Sequence, residues 1–297
     1  MTELPMLNVR GFFRPLIISI AALLCISIAQ AAECEKPGHL RFSFVPQSDV
    51  QTEIEALQPL FDELQLALGM SVDVVTPSSY GAVIEGLLAG TVDLARLGPA
   101  AYISAKKQDP GITAFATVAR KNPAQPDEDI FYRSILIVRK NSPYKTIESL
   151  RGKKVALVDP DSTSGALIPR HVFSKQIGLP LEKYFSQVVY SGAHDQSMLN
   201  LSKKRVDAAF ISSTILAVPV ESGKIKNDAF RTLWTSKPIP RNPFVLRNQL
   251  CSDLKRKIIS VFLERGGNAN KNLMQNLNVM RFVPIGDQDY EILRNLP

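Results

Sequence analysis

The chain is poor in the residues that most often carry catalysis or bind metals. It has three histidines and three cysteines in 297 residues. There is no Cys-x-x-Cys and no His-Glu-x-x-His, so the sequence offers no zinc-type site. A Gly-x-x-x-x-Gly-Lys-Ser/Thr phosphate loop is absent, as is the Gly-x-Ser-x-Gly elbow that presents a nucleophilic serine. The formal charge is +7, but lysine and arginine are scattered, with no basic block and no interleaving of basic and aromatic residues. That pattern argues against nucleic acid as a partner. Beyond residue 31 no apolar run is long enough to cross a bilayer. No cofactor and no metal is expected.

What is present begins with an export signature. Arg10 and Arg14 precede an almost wholly apolar run from Pro15 to Ile28, and Ala29-Gln30-Ala31 fits a small-x-small cleavage site. Residues 1–31 are therefore expected to be a signal peptide, and the mature chain periplasmic; an uncleaved anchor is the other reading. Lipid attachment is disfavoured, because Cys25 follows Leu24 and Cys34 follows Glu33, neither of them small. Export leaves Cys34 and Cys251. A pair in an oxidising compartment suggests a disulfide, with two free thiols as the alternative, since sequence gives no geometry.

The rest of the chain alternates between strand and helix patterns. Leu40, Phe42 and Phe44 alternate with polar residues as in a strand. Ile54, Leu57, Phe61, Leu64 and Leu68 recur at helical spacing, with Gly69 as the stop. Strand-like segments then fall at 71–75, 92–97 and 112–118, with helices at 80–88 and 100–107 between them. This order predicts a largely parallel sheet wrapped by helices. A polar loop with two prolines at 122–129 precedes a long strand predicted over 131–138, and α/β alternation resumes up to Thr235. Three prolines between Ser236 and Pro243 read as a stiff connector. The two proline-rich segments bracket a middle lobe. The expected lobes are 32–134 plus 240–297, and 135–239, with a ligand cleft between them.

One stretch organises the chain. Val155 to Val158 is a short, mostly β-branched run that suits a buried strand. Asp159-Pro160 ends it, and Ser162, Thr163, Ser164 and Gly165 lead into an apolar helix. Three small hydroxyl residues at a helix start can cap that helix. They can equally offer donors to a small anion at the positive end of the helix dipole. The stretch alone leaves both readings open.

Several segments, in order, resemble a known family. They are Leu40 to Gln47 (LRFSFVPQ), Val92 to Tyr102 (VDLARLGPAAY), Tyr132 to Val138, Leu150 to Val155, Asp159 to Gly165 (DPDSTSG), Ser191 to Asp195 (SGAHD), Val206 to Ala209 and Phe282 to Tyr290. Together they resemble the periplasmic phosphate/phosphite/phosphonate-binding proteins of ABC transporters. The resemblance implies an α/β type II periplasmic binding protein fold, in which two α/β lobes close on a ligand. It implies that an oxyanion is held by Ser162, Thr163, Ser164, His194, Tyr80 and Tyr102. Convergent hydroxyl and imidazole donors suit the several strong acceptors of a tetrahedral oxyanion. Gln47 and Ser48, at the end of the first strand, are further ligand-binding candidates, because ligands of open α/β sheets bind beyond the strand ends. Taken without the resemblance, Tyr80 and Tyr102 also fit half-buried core aromatics, and His194 a helix cap. His39 and His171 fit no pattern and read as structural or solvated. One departure stands out. The family often places an acidic residue after Val206-Asp-Ala-Ala, where this chain has Phe210, Ile211, Ser212 and Ser213. This puts an aminoalkyl-phosphonate in doubt and leaves phosphate, phosphite and simple alkylphosphonates open.

Three functions compete. The first is a solute-binding protein that delivers an oxyanion to an ABC permease. The second is a sensor subunit of the same fold that signals through a membrane histidine kinase. The third is an enzyme built on Ser164, His194 and Asp195. It is disfavoured, because adjacent His and Asp at one helix start cannot easily orient each other as a triad requires.

Overall fold

A computed structural model describes residues 1–2, 34–120, 130–221, 228–264 and 270–296. Apart from residues 1–2, the expected export segment 1–31 lies outside the described residues, as does the loop at 122–129. Local signals explain most element boundaries. After strand β1 (Leu40–Phe44), helix α1 (Val50–Leu68) starts where the Asp49 carboxylate accepts the Thr52 N–H at 2.9 Å and stops at Gly69, whose φ is 67°. That left-handed C-cap costs glycine nothing. After β2 (Val72–Val74), α2 (Tyr80–Leu88) starts at Ser79, whose hydroxyl accepts the Ala82 N–H at 3.1 Å. After β3 (Leu94–Arg96), α3 (Pro99–Gln108) opens on a proline, where the missing N–H is no loss. Next come β4 (Thr113–Ala119), β5 (Phe131–Tyr132), β6 (Ser134–Arg139) and β7 (Lys154–Leu157). Two π-helical turns, Thr163–Leu167 and Pro169–Phe173, run on into α4 (Ser174–Ile177). They are followed by α5 (Leu181–Tyr184), β8 (Gln187–Tyr190), α6 (His194–Ser202), β9 (Ala208–Ser212) and α7 (Ser213–Glu221). Then come β10 (Phe230–Thr235), β11 (Ile239–Pro240), β12 (Phe244–Leu246), α8 (Ser252–Leu263), a helix at Lys271–Leu277 and β13 (Arg281–Pro284).

The strands form two main sheets, ordered β13-β4-β12-β3-β1-β2 and β10-β6-β9-β7-β8. Each is mixed rather than largely parallel. β1 pairs in parallel with β2 and β3, but β12 returns from the second sheet and inserts antiparallel between β3 and β4. The β-α-β order of residues 40–119 could not reveal a strand supplied from beyond residue 240. The predicted strand over 131–138 is broken at Arg133. Its first part, β5, leaves the second sheet and pairs antiparallel with β11, so both crossings between the lobes form one short ribbon. The connector at 236–243 thus contains paired backbone, which its prolines did not suggest.

Cys34–Pro297 forms one compact unit. One hydrophobic core lies wholly within the first sheet's lobe, around the Phe42–Phe61 ring pair at 5.1 Å and the Phe244, Phe262 and Phe282 rings at 4.8–5.7 Å. A second, around Ile135, Ile137, Leu201 and Ile211, belongs to the other lobe. The largest core continues from one lobe into the other, running from Tyr80 and Tyr102 to Leu157, Phe210 and Trp234. The lobes are therefore packed together, and the polar groups at their junction face one another.

Candidate functional site

The junction is built from helix N-termini. Ser162 caps the first π-helical turn: its hydroxyl accepts the Gly165 N–H at 3.1 Å, and its carbonyl accepts from Ala166 and Leu167 at 3.0 and 2.9 Å. A carbonyl shared at i+4 and i+5 marks the widened turn, a local form that recurs at functional sites. Opposite lies the start of α3, where the Ala100 N–H donates to the Thr163 hydroxyl at 2.8 Å. The start of α2 meets the same loop. The Tyr80 N–H donates to the Asp159 carboxylate, and the Tyr80 hydroxyl lies within hydrogen-bonding reach of Ser162. An added Cβ on Gly98 would sit 3.7 Å from the Thr163 hydroxyl and 3.9 Å from the Tyr80 ring. Three helix N-termini thus meet at Ser162 and Thr163, with both hydroxyls buried. Each N-terminus brings the positive end of a helix dipole, which at α2 already faces the Asp159 carboxylate.

Ser164, also buried, has its carbonyl held by the Ser134 hydroxyl at 2.6 Å, which fixes the turn to β6. Tyr132, on the inter-lobe ribbon, reaches both Thr163 and Ser164. Burial pushes the Tyr132 phenol up to about 12 and raises that of Tyr80 further, so both stay protonated donors at neutral pH. Tyr132 is a member of this cluster that sequence reasoning did not single out. It opens the Tyr132 to Val138 segment of the resemblance, which the hydrophobic pattern reads as one strand; the break at Arg133 places it instead on the ribbon between the lobes.

His194 opens α6. Its Nδ1 accepts the Ser212 N–H at 3.2 Å, so the neutral ring carries its proton on Nε2. Burial holds its pKa down at about 3. The His194 N–H donates to the Gln47 carbonyl at 3.2 Å, and the Asp195 N–H to the same oxygen at 3.4 Å. Gln47 and Ser48 are tied in turn to Glu53, whose Oε1 accepts the Gln47 N–H at 3.0 Å and the Ser48 N–H at 2.8 Å. The other Glu53 oxygen pairs with Arg96. The structure therefore brings Ser162, Thr163, Ser164, Tyr80, His194 and Gln47 to the junction between the lobes, with Ser48 at its rim. It does not bring the Tyr102 hydroxyl there. Tyr102 donates to Asp287 at 2.7 Å and packs on Tyr290 at 5.2 Å, behind α3. Asp287 is also bound by Arg294 at 2.6 Å, which keeps its carboxyl below the usual range.

Two spaces open beside these groups. One, of about 70 Å³, is lined by Tyr132, Ser212, Arg96, Arg120 and Arg241. The other, of about 420 Å³, extends it outward between α1 and α6. The structure also joins Cys34 to Cys251 through a disulfide, with Cα atoms 4.7 Å apart. Among the described residues no group of three or more His, Cys, Asp or Glu side chains is placed to hold a metal ion, and no helix is long and apolar enough to cross a membrane.

Known proteins with similar sequences and shapes agree on a family. Residues 42–290 match the profile described as the periplasmic substrate-binding protein of phosphonate ABC transporters. The phosphonates-binding periplasmic protein of Escherichia coli is 30% identical over 253 residues, covering 84% of this chain and 71% of its own. The phosphate-import protein PhnD of Mycolicibacterium smegmatis is 26% identical over 279 residues, covering 88% and 85%. The solved structure of PhnD1 from Prochlorococcus marinus in complex with methylphosphonate superposes with a TM-score of 0.76 at 20% identity, covering 87% of this chain and 97% of that one. That likeness shows the two-lobed type II fold. Neither relative is named for sensing, and the sensing function finds no support in them. The chain belongs to the family of periplasmic substrate-binding proteins of phosphonate ABC transporters.

Proposed function

We propose that this protein captures a phosphonate, phosphite or phosphate oxyanion between its lobes and delivers it to an ABC permease. The observation that carries this reading is the meeting of three helix N-termini at Ser162 and Thr163. The buried Ser162 and Thr163 hydroxyls accept from backbone N–H groups there, which leaves their own protons to donate in a low-dielectric site. In this reading the ligand contacts are Ser162, Thr163, Ser164, Tyr80, Tyr132 and His194, with Gln47 and Ser48 bordering them. His194 donates through Nε2–H without carrying a charge. Relatives named for phosphonate and phosphate support the ligand class. The β5–β11 ribbon supports lobe boundaries close to the expected 134/135 and 239/240, with the first lying just before Ser134, which pairs in the second sheet, and with the ribbon as the hinge.

Binding without turnover is favoured by the histidine. Its Nδ1 is an acceptor from Ser212, whereas a triad histidine donates from that atom to a carboxylate. In the family setting the chain is exported, and residues 1–31 are removed. The test is the Ser162→Ala, Thr163→Ala double variant, assayed by calorimetric titration with methylphosphonate and with phosphate. Each charge-assisted hydrogen bond is worth about 1.5–3 kcal/mol, so affinity should fall by at least a hundredfold. Wild-type affinity in that variant would reject the site.

A further inference from the structure

The cleft beside the hydroxyl cluster is much larger than a bare oxyanion needs. The inner space of about 70 Å³ reaches Tyr132, the residue that contacts Thr163 and Ser164. The outer space of about 420 Å³ shares Gln47, Arg96, Arg120, Thr214 and Leu277 with it, so the two are continuous. A volume of this order holds an organic group of many atoms. Its walls are mainly apolar, from Ala56, Met198, Leu199, Ile215 and Phe230.

Charge in the passage is not neutral. Among the described residues, three arginines and no carboxylate line the inner space. Arg241 is held by Thr214 at 3.0 Å, Arg120 by the Leu277 carbonyl at 2.7 Å and Arg96 by Glu53, so all three guanidiniums are fixed in place. Arg96 borders both spaces. Its Nε is buried and has no hydrogen-bond partner among the described residues. A buried donor left unmatched is costly and is relieved by an acceptor entering beside it. The carboxylates of the outer space are Glu53, bound to Arg96, and Asp195, whose carboxyl is pushed up by burial and by the nearby Glu53.

We propose that the ligand is an organophosphonate or phosphate monoester whose substituent runs through the arginine-lined passage into the apolar pocket. That substituent is partly apolar and carries an acceptor oxygen rather than an ammonium group. The proposal rests on the oxyanion site proposed above and adds the class of substituent.

The test is a calorimetric panel on the wild-type protein. It comprises phosphate, methylphosphonate, 2-aminoethylphosphonate, 3-phosphonopropionate and phenylphosphonate. 3-Phosphonopropionate should bind at least about tenfold more tightly than 2-aminoethylphosphonate, a chain of similar length ending in the opposite charge. Phenylphosphonate should bind no more weakly than methylphosphonate. In Arg96→Gln the ratio of the first pair should fall toward one. Equal or tighter binding of 2-aminoethylphosphonate would overturn the proposal while leaving the oxyanion site intact. So would exclusion of both larger ligands while methylphosphonate binds. Failure of all five ligands, phosphate included, would reject the oxyanion site and this proposal with it.

Discussion

Single side chains decide which groups are available to a ligand. Tyr132 and Tyr102 are both buried tyrosines near the junction of the lobes, but they spend their hydroxyls differently. Tyr132 reaches Thr163 and Ser164, while Tyr102 is committed to Asp287. Tyr132→Phe should therefore weaken methylphosphonate binding about tenfold or more, and Tyr102→Phe should leave it within about twofold while costing about 1 kcal/mol of stability. Titration calorimetry and urea melts of the two variants separate these outcomes. His194 adds a pH signature. In the unfolded chain it titrates near 6.5, in the folded protein at about 3. Between those values the unfolded state binds the extra proton, so stability rises with pH across the window and is lost as pH falls from 6.5 toward 3. The loss at pH 5 should be about 2 kcal/mol. Urea melts at pH 5 and 7.5 should show a smaller loss in His194→Gln than in the wild type.

At the scale of the element, the loop after β7 does two jobs with one backbone. Ser162 caps the π-helical turn, and the same turn presents Thr163 to α3. Close packing holds it. The Gly165 carbonyl accepts the Val158 N–H at 3.2 Å, and an added Cβ would lie 2.5 Å from Val158 Cβ and 2.8 Å from the Ser162 hydroxyl. Neither the β-branched Val158 nor the capping serine can move aside cheaply. Gly165→Ala should cost about 1–3 kcal/mol by overpacking and should weaken oxyanion binding through the displaced cap. A lowered urea midpoint with unchanged affinity would separate the cap from the cradle.

The whole molecule is held by long-range ties. The Cys34–Cys251 disulfide spans a sequence separation of 217 residues and pins the segment before β1 against the start of α8. Glu35 pairs with Arg247 at 2.7 Å beside it, and Arg247 pairs with Asp93 at 2.7 Å inside the first lobe. A loop this long gives the disulfide a large effect on the unfolded chain, up to about 5 kcal/mol in the entropic account. Cys34→Ser with Cys251→Ser, or reductant on the wild type, should lower Tm by several degrees in differential scanning calorimetry. An unchanged Tm would assign the N-terminal tie to the Glu35–Arg247–Asp93 ion pairs.

Alternation of apolar residues, glycine stops and serine caps are local properties, and they placed β1, α1, α2 and α3 close to their observed bounds. The Ser162-Thr163-Ser164 turn was legible for the same reason, since a strand end, a proline and three hydroxyls lie within a few residues. The antiparallel insertion of β12, the β5–β11 ribbon and the break at Arg133 were not legible. Each depends on pairing between segments more than a hundred residues apart, which leaves no periodic trace. By itself the sequence determined two α/β lobes, the Ser162-Thr163-Ser164 turn and the family. Tertiary structure alone decided that Tyr132 faces that turn while Tyr102 is spent on Asp287, and that three arginines meet at one end of an apolar cleft. Which donor is free and which charge is near are properties of distance, and folding sets distance between residues far apart in the chain.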